Sequence, residues 1–240
     1  MTQFQSSQPE TIRKMFSEIS SRYDLANTVL SLGIHHSWRT KLVCLSQARL
    51  GQKVLDCASG TADLAFEFEK NVGSQGQVMA TDFCEEMLNY GKKKAQTRHS
   101  RVEFQVQDVM HLSFADSSYD ITSIAFGIRN VADPIQSLQE MARVTRPGGF
   151  VMVLEFGQPT IPVWGSMYRF YSDTILPRLG GILTGKREAY DYLRKSSAQF
   201  PCGENFLQLA KKTNQFDQVE AYPLMGGVAS IYRLRRRMSS

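Results

Sequence analysis

The sequence predicts an α/β protein: a doubly wound, mostly parallel sheet of seven strands with helices packed against it and helical segments in front of it. Three observations carry that expectation. From Val54 onward, short apolar runs alternate with stretches of helical periodicity, the pattern of strands joined by crossover helices. Three of the early runs end in an acid, at Asp56, Asp82 and Asp108, and this architecture binds ligands at the carboxyl ends of its strands. Across Val54-Leu55-Asp56-Cys57-Ala58-Ser59-Gly60-Thr61-Ala62-Asp63 a buried strand turns into a helix over small residues, which leaves bare backbone N–H groups for a ligand.

In chain order, residues 1–9 read as a polar tail without the apolar core of a secretory signal. Residues 10–48 read as a helical cap, with Ile12, Met15, Phe16 and Ile19 at helical spacing and Val29, Leu30, Leu32 and Ile34 continuing the apolar character. Within it Tyr23-Asp24 and His35-His36-Ser37-Trp38-Arg39 gather more polar aromatics than a cap requires, although Trp38 itself reads as packing. The strand expectations are Gln77–Asp82, Arg101–Asp108, Tyr119–Phe126 and Phe150–Phe156, closed by the pair Val219–Leu224 and Val228–Leu234 around Gly226-Gly227. The helix expectations are 84–95, 134–145, 188–199 and 204–213. The helix at 134 has clear punctuation: Asp133-Pro134 starts it, and Pro147-Gly148-Gly149 stops it. Residues 158–185 form an aromatic-rich insertion in which Trp164, Met167, Tyr168, Tyr171 and Ile175 share a helical face; covering the sheet and walling an apolar channel are both open to it. With no repeat, low-complexity segment or linker, the reading is a single domain over 1–240.

Composition narrows the class. Hydrophobic content of 42% and charged content of 21% over 240 residues suit a soluble globular domain with a full core. No apolar run approaches the roughly 20 residues of a spanning helix. The cysteines Cys44, Cys57, Cys84 and Cys202 are widely spaced, which argues against zinc and disulfide frameworks and suits a reducing cytosol. The net charge of +5 draws heavily on Arg233, Arg235, Arg236 and Arg237. Such a run is either a solvated face or a contact with an anionic surface.

Charge also selects the ligand. A dinucleotide corner carries G-x-G-x-x-G, because a pyrophosphate needs a neutral or positive cradle. Here Gly60 stands alone between Asp56 and Asp63. Two carboxylates repel a phosphate and favour a cation, and S-adenosylmethionine, a sulfonium with an α-amino group, fits. The alternative is an ordinary corner with Asp63 as a first-turn helix acid. Asp82 lies 22 residues past Gly60, about where an acid takes a ribose diol in this topology. Asp108, at the next strand tip, is placed to accept from an adenine amino group. Each acid alone reads equally as a helix cap, Asp82 with Glu85 as a capping box. Three at successive tips point to one ligand.

The runs Phe126-Gly127-Ile128-Arg129-Asn130, Arg146-Pro147-Gly148-Gly149, Leu154-Glu155-Phe156, Tyr190-Asp191-Tyr192-Leu193 and Phe200-Pro201 are more specific. With Tyr23-Asp24-Leu25-Ala26-Asn27 and Gly33-Ile34-His35 they cover the chain from about Phe16 to Arg233. On these residues the chain resembles the ubiquinone/menaquinone biosynthesis C-methyltransferase family of S-adenosylmethionine-dependent methyltransferases. The resemblance implies the Rossmann-like class I fold, with Thr61, Asp82, Asp108 and Val109 lining the cofactor and Ala125 beside it. It implies that Arg129, Asn130 and Tyr23 face a prenylated quinol. Demethylmenaquinol is the first expectation for that substrate, and a ubiquinone-precursor benzoquinol is the alternative.

Carbon methylation needs an electron-rich ring carbon, so a cation beside the ring oxygen helps. Arg129 is the candidate for that role and Asn130 for holding the ring. A helix-end or salt-bridge arginine is the other reading of Arg129. Tyr23, Asp24 and His35 are the candidate bases. No metal is called for. Ala62 stands where the family usually has glycine, Ala125 where it often has a hydroxyl, and Ser113 where proline is common. The first two leave room for a non-catalytic scaffold on the same fold. A nucleic-acid methyltransferase is disfavoured, since the strand-four tip lacks an Asn/Asp-Pro-Pro-aromatic run and a nucleophilic cysteine. A lipid-borne substrate, the basic terminus and the aromatic stripe together suggest a cytoplasmic protein with peripheral contact at the inner membrane face. A homodimer is left open.

Overall fold

The computed structural model describes residues 33–159 and 187–238, with isolated positions at 17, 28, 31 and 174. Among them run strands β1 (Lys53–Cys57), β2 (Gln77–Asp82), β3 (Glu103–Val106), β4 (Tyr119–Ala125), β5 (Thr145–Phe156), β6 (Phe216–Leu224) and β7 (Ala229–Arg236). They form one seven-stranded sheet in the order β3-β2-β1-β4-β5-β7-β6. Pairing is parallel from β3 through β5. β7 runs antiparallel to both β5 and β6. Strand order reverses between β1 and β4, and a crevice opens at such a switch point beyond the carboxyl ends of the strands.

Period-2 alternation along each strand divides the core in two. Val54, Met152, Leu154 and Ile231 face α1 (Ile34–Leu45) and α2 (Asp63–Val72), packing with Trp38, Leu42, Phe66 and Phe68. Leu55, Ile124, Val153 and Tyr232 face α4 (Pro134–Val144) and α6 (Glu204–Lys212), packing with Leu138, Met141 and Phe206. Between them in sequence come α3 (Glu85–Arg98), whose Ala95 joins the first group, and α5 (Arg187–Gln199). No helix among the described residues is long and apolar enough to cross a membrane.

The punctuation at α4 acts as expected at one end only. Asp133 accepts from the backbone N–H of Ile135 at 2.9 Å and of Gln136 at 3.1 Å, with Pro134 in the first turn. At the other end the helix stops at Val144, and β5 already begins at Thr145, before Pro147-Gly148-Gly149. Those residues lie inside the strand at a register shift, where Tyr119 pairs Thr145 and Ile121 pairs Phe150. Gly148 has φ +74°, a conformation glycine supplies without strain. β3 is shorter than the alternation at 101–108 suggested, because it is an edge strand with three of its four residues exposed.

The arginine-rich end is less free than its composition implied. Arg233 pairs with Glu220 at 2.6 Å and Arg235 with Asp217 at 2.8 Å. Arg236 donates to the backbone carbonyls of Arg143 and Thr145. Tyr23, Asp24 and the aromatic face at 164–175 lie outside the described residues, except for Thr174.

Candidate active site

The tips of β1, β2, β3 and β4 enclose one open crevice. Its wall includes Ala58 and Gly60 from the β1 corner, Asp82 and Phe83 from β2, and Asp108 and Val109 beyond β3. Ala125, Phe126 and Asn130 complete it on the β4 side. Gly60 takes φ +58°, and a Cβ there would sit 3.3 Å from Met87, so the bare backbone is what keeps this corner open.

Asp82 is 7% exposed and uses both oxygens: Oδ2 accepts from Gly60 N at 2.8 Å, Oδ1 from Cys84 N at 2.9 Å. The capping box with Glu85 does not form. Cys84 is the N-cap of α3 and its side chain caps nothing, while Asp82 ties the β1 corner to the β2 tip instead. Burial raises the Asp82 carboxyl to about 6, against the opposing pull of its backbone hydrogen bonds. Asp56, 1% exposed, lies beneath the corner and accepts from Ser59 Oγ at 2.6 Å and Ser123 Oγ at 2.7 Å. Burial raises it also to about 6. Asp108 is exposed at the mouth and accepts from Met110 N at 2.9 Å. Val109 is buried beside it.

Thr61 and Asp63 stand outside the crevice wall. Asp63 is held between Arg39 of α1, at 3.1 Å, and Lys94 of α3, and Lys94 also donates to Thr61 Oγ1 at 3.2 Å. These cations hold the Asp63 carboxyl below its usual range despite burial. The acid that faces the crevice from this side is therefore Asp82. Ala62 does adopt the left-handed conformation, φ +67°, that its replacement of glycine called into question. Its methyl points into the core: a Cβ placed on Gly91 would lie 3.4 Å from it.

On the β4 side, Ile128–Asn130 form a 3-10 turn after the tip. Arg129 takes the salt-bridge reading. Its Nη1 lies 2.6 Å from Glu155 Oε1 and donates to Phe126 O at 2.6 Å, with 5% of the side chain exposed. Its Nε has no hydrogen-bond partner. Asn130 does reach the crevice, and Tyr192 Oη donates to its Oδ1 at 3.1 Å. Phe126 lies 4.5 Å from Phe156 and 6.3 Å from Trp38 between ring centroids, an aromatic flank next to Asn130. His35 is buried on α1 with Nδ1 2.5 Å from Ser31 Oγ.

Sequence reasoning assigned no role to Ser59, Ser123, Lys94 or Glu155. Only Glu155 carried a signal, as a lone charge inside the apolar run Val151–Phe156, because a buried charge requires a partner.

The wall suits a cationic ligand. Among its described residues are two carboxylates and no lysine, arginine or histidine, which disfavours phosphates and suits a sulfonium. Asp82 keeps lone pairs for further donors, since a carboxylate oxygen accepts more than one hydrogen bond. Such a crevice in a sheet with an antiparallel seventh strand defines an S-adenosylmethionine-dependent methyltransferase of the class I type. An S-adenosylmethionine-dependent methyltransferase from Thermotoga maritima shares the fold, with TM-score 0.67 over 93% of this chain and 99% of its own at 15% identity.

The model of the ubiE/COQ5 methyltransferase family matches residues 1–235. The ubiquinone/menaquinone biosynthesis C-methyltransferase UbiE of Bdellovibrio bacteriovorus is 57% identical over 94% of this chain and 95% of its own length. The demethylmenaquinone methyltransferase of Halalkalibacterium halodurans is 39% identical over 93% and 91%. The chain belongs to the ubiE/COQ5 methyltransferase family and is an S-adenosylmethionine-dependent C-methyltransferase.

Proposed function

We propose that the protein methylates a ring carbon of a prenylated quinol, demethylmenaquinol to menaquinol, in quinone biosynthesis. The observation that carries the reading is the crevice wall, where two carboxylates stand opposite a carboxamide and an aromatic flank. The naphthoquinol is preferred because the relative from Halalkalibacterium halodurans is named for demethylmenaquinone alone, whereas the name of the Bdellovibrio bacteriovorus relative covers both rings.

When bound, S-adenosylmethionine supplies an electrophilic methyl group. The acids Asp82 and Asp108 hold its ribose and adenine, with Gly60, Val109 and Ala125 in contact and Asp56 beneath the corner. Asn130 holds the quinol through a ring oxygen, and the ring packs against Phe126. With Oδ1 engaged by Tyr192, the amide N–H2 of Asn130 is the end left for that oxygen. Arg129 acts as a positioning residue: its bond to Phe126 O fixes the tip on which both Phe126 and Asn130 depend. Orientation of two reactants in one crevice supplies much of the rate. Tyr23, which the family resemblance implies faces the quinol, remains a candidate base.

Incubating the enzyme with reduced demethylmenaquinol or with a ubiquinone-precursor benzoquinol and labelled S-adenosylmethionine tests this. Label is expected in the naphthoquinol. Label in the benzoquinol alone would reverse the choice of ring, and label in neither would remove the quinol reading. The protein is also proposed to reach its substrate by peripheral contact with lipid; since three terminal arginines are engaged within the fold, that contact is assigned to other surfaces.

A further inference from the structure

Helix α1 contacts two of the elements that frame the crevice, the β4 tip and the β1 corner. Trp38 packs on Phe126, which lines the β4 side. One residue on, Arg39 reaches Asp63, the first residue of α2 and the end of the β1 corner, at 3.1 Å. The pair is largely shielded, with side chains 13% and 14% exposed, so water screens it far less than a surface bridge. Asp63 Oδ1 is taken by Lys94 of α3, which also donates to Thr61 Oγ1 at 3.2 Å. The corner between them, Gly60-Thr61-Ala62, includes a non-glycine residue at φ +67°, a conformation that persists only where its surroundings over-determine it.

We propose that Arg39 is a positioning residue for S-adenosylmethionine: by gripping Asp63 it fixes the corner that the donor lies against, and so couples the seating of α1 to occupancy of the crevice. The same guanidinium opposes the effect of burial on Asp56, whose other neighbours are the hydroxyls of Ser59 and Ser123 and the carboxylate of Asp82. The inference concerns the donor site and stands whichever ring is methylated.

The test uses the full chain and S-adenosylmethionine alone, followed by calorimetry and by amide hydrogen exchange in Ile34–Leu45. In the parent, the donor is expected to slow exchange in α1, because coupling between two sites is reciprocal. Arg39→Gln should weaken donor binding about tenfold and abolish that slowing, with Arg39→Lys within about threefold of the parent. Asp63→Asn should match Arg39→Gln, and the double variant should be no weaker than the worse single one. Thr40→Ala, which removes a neighbouring hydrogen bond from α1 to Glu67, should bind the donor as the parent does. Parental affinity in Arg39→Gln, an equal loss in Thr40→Ala, or multiplied losses in the double variant would overturn the proposal. If Arg39→Gln does not fold, Asp63→Asn empties the same contact from the other side; failure of both to fold would overturn it in favour of a role in stability alone.

Discussion

Asp82 and Asp56 share an environment that sets two properties of the protein in opposition. Both carboxyls are raised by burial to about 6, from a usual value near 4. The native chain therefore binds protons between about pH 4 and 6 that the unfolded chain has released. Their contribution to stability is full below about pH 4 and is lost as pH rises through about 6. Asp63, Asp217 and Glu140 are shifted the other way, held below their usual range by neighbouring arginines and, for Asp63, Lys94. Thermal unfolding without ligand should accordingly show a higher Tm at pH 5 than at pH 7.5, with Asp56→Asn flattening the difference. With these acids proposed to hold the donor in their ionised form, calorimetry should show S-adenosylmethionine affinity falling over the same descent in pH. Asp82→Asn should lose roughly ten- to a hundredfold in affinity, the worth of a charged hydrogen bond to a ribose hydroxyl. Ala62→Gly, in contrast, should leave affinity within about twofold, because the methyl it removes faces Gly91 and not the ligand.

The β4 tip is the element on which the substrate side turns. Phe126 sits at φ +57°, unusual for an aromatic residue, and is held there by its N–H on Leu154 O at 2.7 Å and by Arg129 on its carbonyl. Glu155→Gln leaves the Arg129 charge buried without a counter-ion, so chemical denaturation should show a loss of about 3–5 kcal/mol. Arg129→Ala should keep donor affinity and lose most turnover, measured as kcat at saturating donor. Unchanged turnover would mean that the tip holds its shape without the guanidinium. The motif around Arg129 was legible in the sequence, but the direction of its side chain was not. Glu155 lies 26 residues away, and only the β4–β5 register brings the two together. The strand-tip acids were legible because period-2 burial makes an acid at the end of an apolar run conspicuous. Asp63 was read with Asp56 as one of two acids flanking Gly60, or as a first-turn helix acid. Its neutralising partners, Arg39 and Lys94, come from helices whose docking no local pattern encodes.

At the scale of the molecule, alternation of strands and helices was enough to give the parallel part of the sheet. The placement of its last strand was not, because a hairpin of two apolar runs fits an edge as well as an insertion. β7 follows β6 in the chain yet lies between β5 and β6, bonded antiparallel to both. Ile231, Tyr232 and Leu234 from this one strand enter both halves of the core. Three of the four clustered arginines stay within the hairpin or cap its neighbours, so co-sedimentation with anionic vesicles should depend little on charge reversal at Arg235 or Arg236. The same insertion makes β7 a keystone. A chain cut before Ala229 would lose more than a rim: β5 would be left with a bare apolar flank and β6 with nothing to join, and such a fragment should appear in inclusion bodies instead of the supernatant.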